Sequence, residues 1–163
     1  IDRRIFAYKP SSELNTYTNP ILMAGDLIRI RNSLLSTTTE ILTEVSAPAI
    51  GAYSQAVKAG GFMYVSGQIP LVPGTMEIVS EDFDAQVEQV LENLKAIIVD
   101  SDSKLSDVVK LNVYLKDLAD FKSVNDAMSS VFDEPYPARA AVEVSRLPKD
   151  VLVEIDAVVY IGD

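Results

Sequence analysis

The stretch VVKLNVYLKDLADFKSVNDAMSSVFDEPYPARAAVEVSRLPKDVLVEIDAVVY, Val108–Tyr160, decides the fold. It opens on alternation, with Val109, Leu111, Val113 and Leu115 on one side and Lys110, Asn112, Tyr114 and Lys116 on the other. Asp107–Leu115 therefore reads as a strand with unlike faces. The period then changes. Leu118, Phe121, Val124, Met128, Val131 and Phe132 keep helical spacing until Pro135 and Pro137, and proline ends a helix because it has no N–H to give and crowds the preceding turn. Alternation resumes in Ala138–Ser145 and Val151–Tyr160, two strands joined through a turn at Leu147-Pro148-Lys149-Asp150.

Working outward from this stretch, Phe83, Val87, Val90, Leu91, Leu94, Ile97 and Ile98 fall on one face of a helix opened by Ser80-Glu81-Asp82. Before it, short β-like runs at Ile41–Val45, Ala56–Ala59 and Phe62–Ser66 are broken by Gly51, Gly60-Gly61 and Gly67. Several strands, a helix, a strand, a helix and two strands make an α+β domain, with both helices packed on one face of a sheet. The other sheet face then needs cover, and further copies of the chain are its simplest source.

Residues 1–40 differ in composition and read as an N-terminal extension to a domain spanning 41–163. Met23, Leu27, Ile30 and Leu34 suit a short amphipathic helix after the Asn19-Pro20 turn. Arg3, Arg4, Arg29 and Arg31 among many Ser and Thr suggest an organelle-targeting segment, but Asp2, Glu13, Asp26 and Glu40 are unwelcome in one, so an appended arm is the expectation. A start at Ile1 instead of Met gives the further expectation of a chain processed, truncated or engineered upstream.

Composition removes whole classes of chemistry. Cysteine and histidine are both absent, which excludes a disulfide framework, a Cys/His zinc site and any Cys or His nucleophile–base pair. No metal and no cofactor are expected, and carboxylates, Tyr, Lys, Ser, Thr, Arg and backbone groups remain for catalysis. The net charge is −10, and the first 45 residues hold equal numbers of acidic and basic side chains, so the whole excess lies after Val45. Nucleic-acid phosphates would meet a repulsive field there. No apolar run is long enough to span a bilayer, so no membrane association is expected. Lack of cysteine fits a reducing compartment; the expected location is cytoplasmic, with a mitochondrial one as the alternative.

Within the last two strands, Arg139, Ala141 and Glu143 share one face, and Val153, Ile155, Ala157 and Val159 form the apolar set of the final strand. Arg139 and Glu154 are therefore expected to avoid the helix-covered core. Antiparallel pairing about Leu147-Pro148 would set Arg139 opposite Asp156 and Ala141 opposite Glu154. A salt-bridged strand pair in solvent gives the same pattern and is common. However, Ala138, Ala140 and Ala141 leave room beside the guanidinium for a small carboxylate, held in the bidentate geometry that arginine offers.

Five blocks, APAIGAYSQAV, FMYVSGQIPL, VLENLKAI, VVKLNVYLKDLADFKSVN and YPARAAVEVSRLPKDVLVEIDAV, together resemble the reactive intermediate deaminases, the 2-iminobutanoate/2-iminopropanoate deaminases. The resemblance runs from about Ile41 to the C-terminus, and residues 1–40 have no counterpart in it. It implies a chorismate-mutase-like fold and a homotrimer with clefts between subunits. Arg139 would bind the substrate carboxylate, Glu154 would position or activate water, and the Ala141 backbone carbonyl would hold that water. Tyr53, Ser66, Gly67 and Asn125 match other cleft-lining positions; taken singly, each has an ordinary structural explanation. Two departures stand out: many members carry Cys where this chain has Ala141, and the link from the second helix to YPAR is shorter.

Three functions follow. The first is hydrolysis of small 2-imino acids to 2-oxo acids and ammonia. The second is the endoribonuclease or translation-inhibitor activity whose label the family also carries, which the acidic charge and missing histidine oppose. The third is a non-catalytic trimer binding small 2-oxo acids in the same clefts.

Overall fold

The computed structural model describes residues 38–162, and the expected Met23–Leu34 helix lies outside them. The strands are β1 (Thr39–Ile41), β2 (Ala56–Ala59), β3 (Phe62–Gln68), β4 (Val108–Leu115), β5 (Ala138–Glu143) and β6 (Val153–Tyr160), with helices α1 (Phe83–Asp100) and α2 (Phe121–Val131). They form one mixed sheet in the order β1-β2-β3-β6-β4-β5, and one core of sheet and helix residues lies on a single sheet face. The α+β class and the two helices on one face are as the periodicities imply.

Helix α1 starts where its sequence provides a cap, the Asp82 side chain accepting from the Ala85 N–H at 3.0 Å. Its buried stripe includes Val87, Val90, Leu91, Leu94, Ile97 and Ile98. Two polar residues are buried with them. Gln86 accepts from the Leu152 N–H at 2.8 Å, and Asn93 donates to the carbonyls of Ile69 and Leu71 at 3.2 and 2.9 Å, so the helix fastens the loops before β6 and after β3. Against this stripe the sheet presents Met63 and Val65, Leu111, Val113 and Leu115, and Val153, Ile155, Ala157 and Val159, all buried.

The run Ile41–Val45 is not the strand expected. Pairing stops at Ile41, and the chain beyond wraps a buried side-chain amide: Gln55 accepts from the Thr43 N–H at 2.7 Å and donates to the carbonyls of Thr43 and Ala47 at 3.1 and 2.9 Å. These bonds satisfy backbone groups that a ladder would otherwise have to serve. In β4 a register shift between Val108 and Lys110 turns Val109 outward, 41% exposed, and buries Val108 in its place.

The expected hairpin between the last two strands is also absent. β5 pairs with β4 in parallel, and β6 pairs with β4 on its other side, antiparallel. The cause is the order strand, helix, strand: β4, α2 and β5 form a crossover unit, which places its two strands side by side and parallel. Residues 144–152 then carry the chain past the end of β4, where the Val144 N–H bonds the Leu115 carbonyl and the Lys116 N–H bonds the Leu152 carbonyl, both at 2.9 Å.

Candidate active site

The parallel register sets the direction of Arg139. It lies opposite Leu111, whose side chain is wholly buried under the helices, so Arg139 faces the helix side and not the uncovered side as expected. Being on the outermost strand, it reaches α2 instead of the core. Its Nη1 donates to Asn125 Oδ1 at 2.7 Å and approaches Met128 Sδ at 3.4 Å, and its guanidinium carbon sits 4.9 Å from the centre of the Phe121 ring. Asn125, Asp126, Met128, Ser129, Tyr136 and Pro137 line with it an open cavity of about 380 Å³.

Ala141 lies two residues along β5, opposite Val113. Because the Val144 N–H points to β4 and backbone groups alternate sides along a strand, the N–H and C=O of Ala141 point to the unpaired edge. The Ala141 carbonyl is thus an acceptor on the same edge as Arg139.

Glu154 lies opposite Tyr114 on the uncovered face, half-buried. It packs on Gly67, at the irregularity between Val65 and Gln68 in the β3–β6 ladder. A Cβ on Gly67 would overlap the Glu154 carboxylate, reaching Cδ at 2.9 Å. Burial pushes the Glu154 carboxyl above the ordinary glutamate value, and the negative charge of Asp156 adds to this. Asp156, expected opposite Arg139, instead accepts from Asn112 Nδ2 at 2.7 Å and from the Tyr114 hydroxyl at 3.0 Å. That hydrogen bond, then burial and the charges of Asp156 and Glu154, hold the Tyr114 hydroxyl above its usual value.

Tyr53 and Gly67 share a narrow recess of about 20 Å³ with Pro48, Ile50 and Gln68. The Ser66 hydroxyl is turned to the Ser54 carbonyl, 2.7 Å away. The predicted residues therefore fall into two groups. Arg139, Asn125 and the Ala141 carbonyl lie at the β5 edge and the helix side; Glu154 lies on the uncovered face of β6 against Gly67, which adjoins Ser66 and shares its recess with Tyr53, with β4 between the two groups. Sequence reading missed Met128 and Tyr136 beside Arg139, Tyr114 beside Glu154 and Asn112 on Asp156. Strand alternation had already put the last two on a polar face.

A family model described as Endoribonuclease L-PSP matches residues 44–161. The chain belongs to this family. Within it, a RutC family protein of Pyrococcus abyssi is 54% identical over 120 residues, 74% of this chain and 94% of the relative. A protein named 2-iminobutanoate/2-iminopropanoate deaminase, from Salmonella typhimurium, is 48% identical over 121 residues, 72% of this chain and 94% of that one. The crystal structure of RidA from an Antarctic Psychrobacter superposes with a TM-score of 0.73 at 50% identity, covering 76% of this chain and 99% of the other. Among the described residues no cluster of potential metal ligands occurs, and no helix is long and apolar enough to cross a membrane.

Proposed function

We propose that the chain hydrolyses small reactive 2-imino acids to 2-oxo acids and ammonium, in a cleft assembled from two copies, with the homotrimer as the closed assembly. The observation that carries this reading is the division of the site. A guanidinium beside an open cavity and a carboxylate with raised proton affinity occupy opposite faces of one sheet, and each is half of what imine hydrolysis needs. The uncovered face, with Tyr64, Val142 and Tyr160 about half exposed, is the surface on which copies would meet.

In the assembled cleft Arg139 holds the substrate carboxylate in a two-point ion pair. A water between the Ala141 carbonyl and Glu154 attacks the carbon of the protonated imine. The C–O bond forms, the C=N π pair moves to nitrogen, and Glu154 takes the water proton. The resulting carbinolamine is neutral at nitrogen. Glu154 returns the proton to that nitrogen, the C–N bond breaks as the hydroxyl oxygen closes to a carbonyl, and the released ammonia takes the hydroxyl proton. Positioning and proton transfer suffice because a protonated imine is already an electrophile.

RNA cleavage is the weaker reading despite the family's description. A net charge of −10 and a chain without histidine oppose phosphate binding and general-base attack by a 2′-hydroxyl.

The test generates 2-iminobutanoate with a threonine dehydratase and traps it with semicarbazide. Wild type is expected to speed loss of the imine, Arg139→Ala to abolish that effect and Glu154→Gln to slow it. An unchanged decay with wild-type protein would leave only ligand binding.

A further inference from the structure

Helical periodicity places Phe121 in the apolar stripe of α2, yet the residue is 38% exposed, so burial in the core is not its main role. Phe121, Asn125 and Met128 stand at i, i+4 and i+7, one face of the helix. All three touch Arg139: the ring lies 4.9 Å from the guanidinium carbon, Asn125 Oδ1 takes an Nη1 proton at 2.7 Å, and Met128 Sδ lies 3.4 Å from Nη1. A cation within about 6 Å of a ring centre is attracted by the ring's negative face.

The contacts are one-sided. Asn125 and Met128 both engage Nη1, and among the described residues no carboxylate pairs with Arg139. The Nε and Nη2 protons form the lateral edge of the fork, and two parallel N–H groups on that edge match a carboxylate. An arginine left to rotate loses side-chain entropy when a ligand fixes it, whereas one already fixed binds without that cost.

We propose that Phe121 is a positioning residue for Arg139: its ring and the Asn125 amide together hold the guanidinium so that the Nε–Nη2 edge meets the carboxylate of a small 2-oxo or 2-imino acid. This rests on Arg139 being the carboxylate anchor of the proposed site, and it adds to that site a residue that never touches the reacting carbon.

The experiment compares Phe121→Leu, Phe121→Tyr and Arg139→Ala by calorimetric titration with 2-oxobutanoate and by KM and kcat in the imine assay. Phe121→Leu keeps apolar bulk and removes the ring. It is expected to weaken 2-oxobutanoate binding about two- to fivefold, with KM rising in step and kcat nearly unchanged; Phe121→Tyr restores wild-type values. Wild-type binding and KM in Phe121→Leu, alongside loss of both in Arg139→Ala, overturns the role of Phe121 alone. Failure of Phe121→Tyr to rescue does the same, since the ring would then not be the operative feature. Wild-type behaviour of Arg139→Ala overturns the anchor and this inference together. Should Phe121→Leu not fold, isotope-labelled wild type decides. The Arg139 Nε–H resonance, assigned by its loss in Arg139→Lys, is expected to be displaced by the ring current of Phe121 and to move on adding 2-oxobutanoate; an undisplaced resonance overturns the proposal.

Discussion

The carboxylate of Glu154 occupies the space that a side chain on Gly67 would fill, with Glu154 Oε1 the first atom met and Cδ 2.9 Å from the Cβ position. The requirement for glycine here is one of room. Gly67 is not among the glycines with left-handed backbone, so alanine meets no conformational penalty and acts only by displacing its neighbour. Gly67→Ala is therefore expected to lower imine hydrolysis about a hundredfold, near the level of Glu154→Gln and within the range of a lost general base, while leaving the melting temperature nearly unchanged. Paired turnover and thermal-melt measurements check this. A fully active Gly67→Ala would separate Glu154 from the chemistry.

Glu154 also makes stability depend on pH in a definite direction. Its carboxyl is held above the ordinary value of 4.5, first by burial and then by Asp156. The folded chain thus binds this proton more tightly than the unfolded chain. The stabilisation is complete below the ordinary glutamate value and is lost as pH rises through the raised one. Glu154→Gln cannot ionise, so its stability relative to wild type is expected to climb across that interval and level off above it. Urea midpoints of the two proteins, taken from below pH 4.5 to neutrality, test the sign. Because the charge of Asp156 helps to raise the Glu154 carboxyl, Asp156→Asn is expected to move the acid limb of the rate profile to lower pH.

Leu111 and Val109 test the register of the central strand. Leu111 is wholly buried, whereas Val109 is 41% exposed. Leu111→Ala is expected to cost about 2–5 kcal/mol in denaturant unfolding, and Val109→Ala no more than about 0.5 kcal/mol. Comparable losses at both positions would restore unbroken alternation from Val109 to Leu115.

That strand also marks where sequence ceases to be a sufficient guide. The α1 stripe is legible because its buried apolar positions, Val87 to Ile98, repeat at one helical period. One extra residue at Val108–Lys110 leaves the composition of the strand intact and reverses the side on which Val109 falls, so no pattern of residue types could reveal it. The face of Arg139 is hidden for a different reason. Alternation fixes that Arg139 and Ala140 point to opposite sides, but which side is which depends on the neighbouring strand, and β5 pairs in parallel with β4, not with β6 across a hairpin at Leu147-Pro148. The Gly67–Glu154 contact joins residues far apart in the chain, and its only local trace was a glycine inside a strand.

The separation of Arg139 from Glu154 within one chain permits a test that no single variant offers. If each cleft takes its guanidinium from one copy and its carboxylate from the next, then Arg139→Ala and Glu154→Gln chains, each deficient alone, complement one another when refolded together. A working cleft arises wherever a Glu154→Gln chain supplies the arginine and an Arg139→Ala chain supplies the glutamate. In a ring assembled at random from equal amounts, about one cleft in four meets this condition. Activity is expected to rise toward a quarter of wild type and to follow the product of the two fractions as the mixing ratio is varied. Clefts built within single chains would give no gain at any ratio, since every chain would carry one defect. A linear dependence on either fraction alone would point to residual activity of that variant and would remove the case for a site shared between copies.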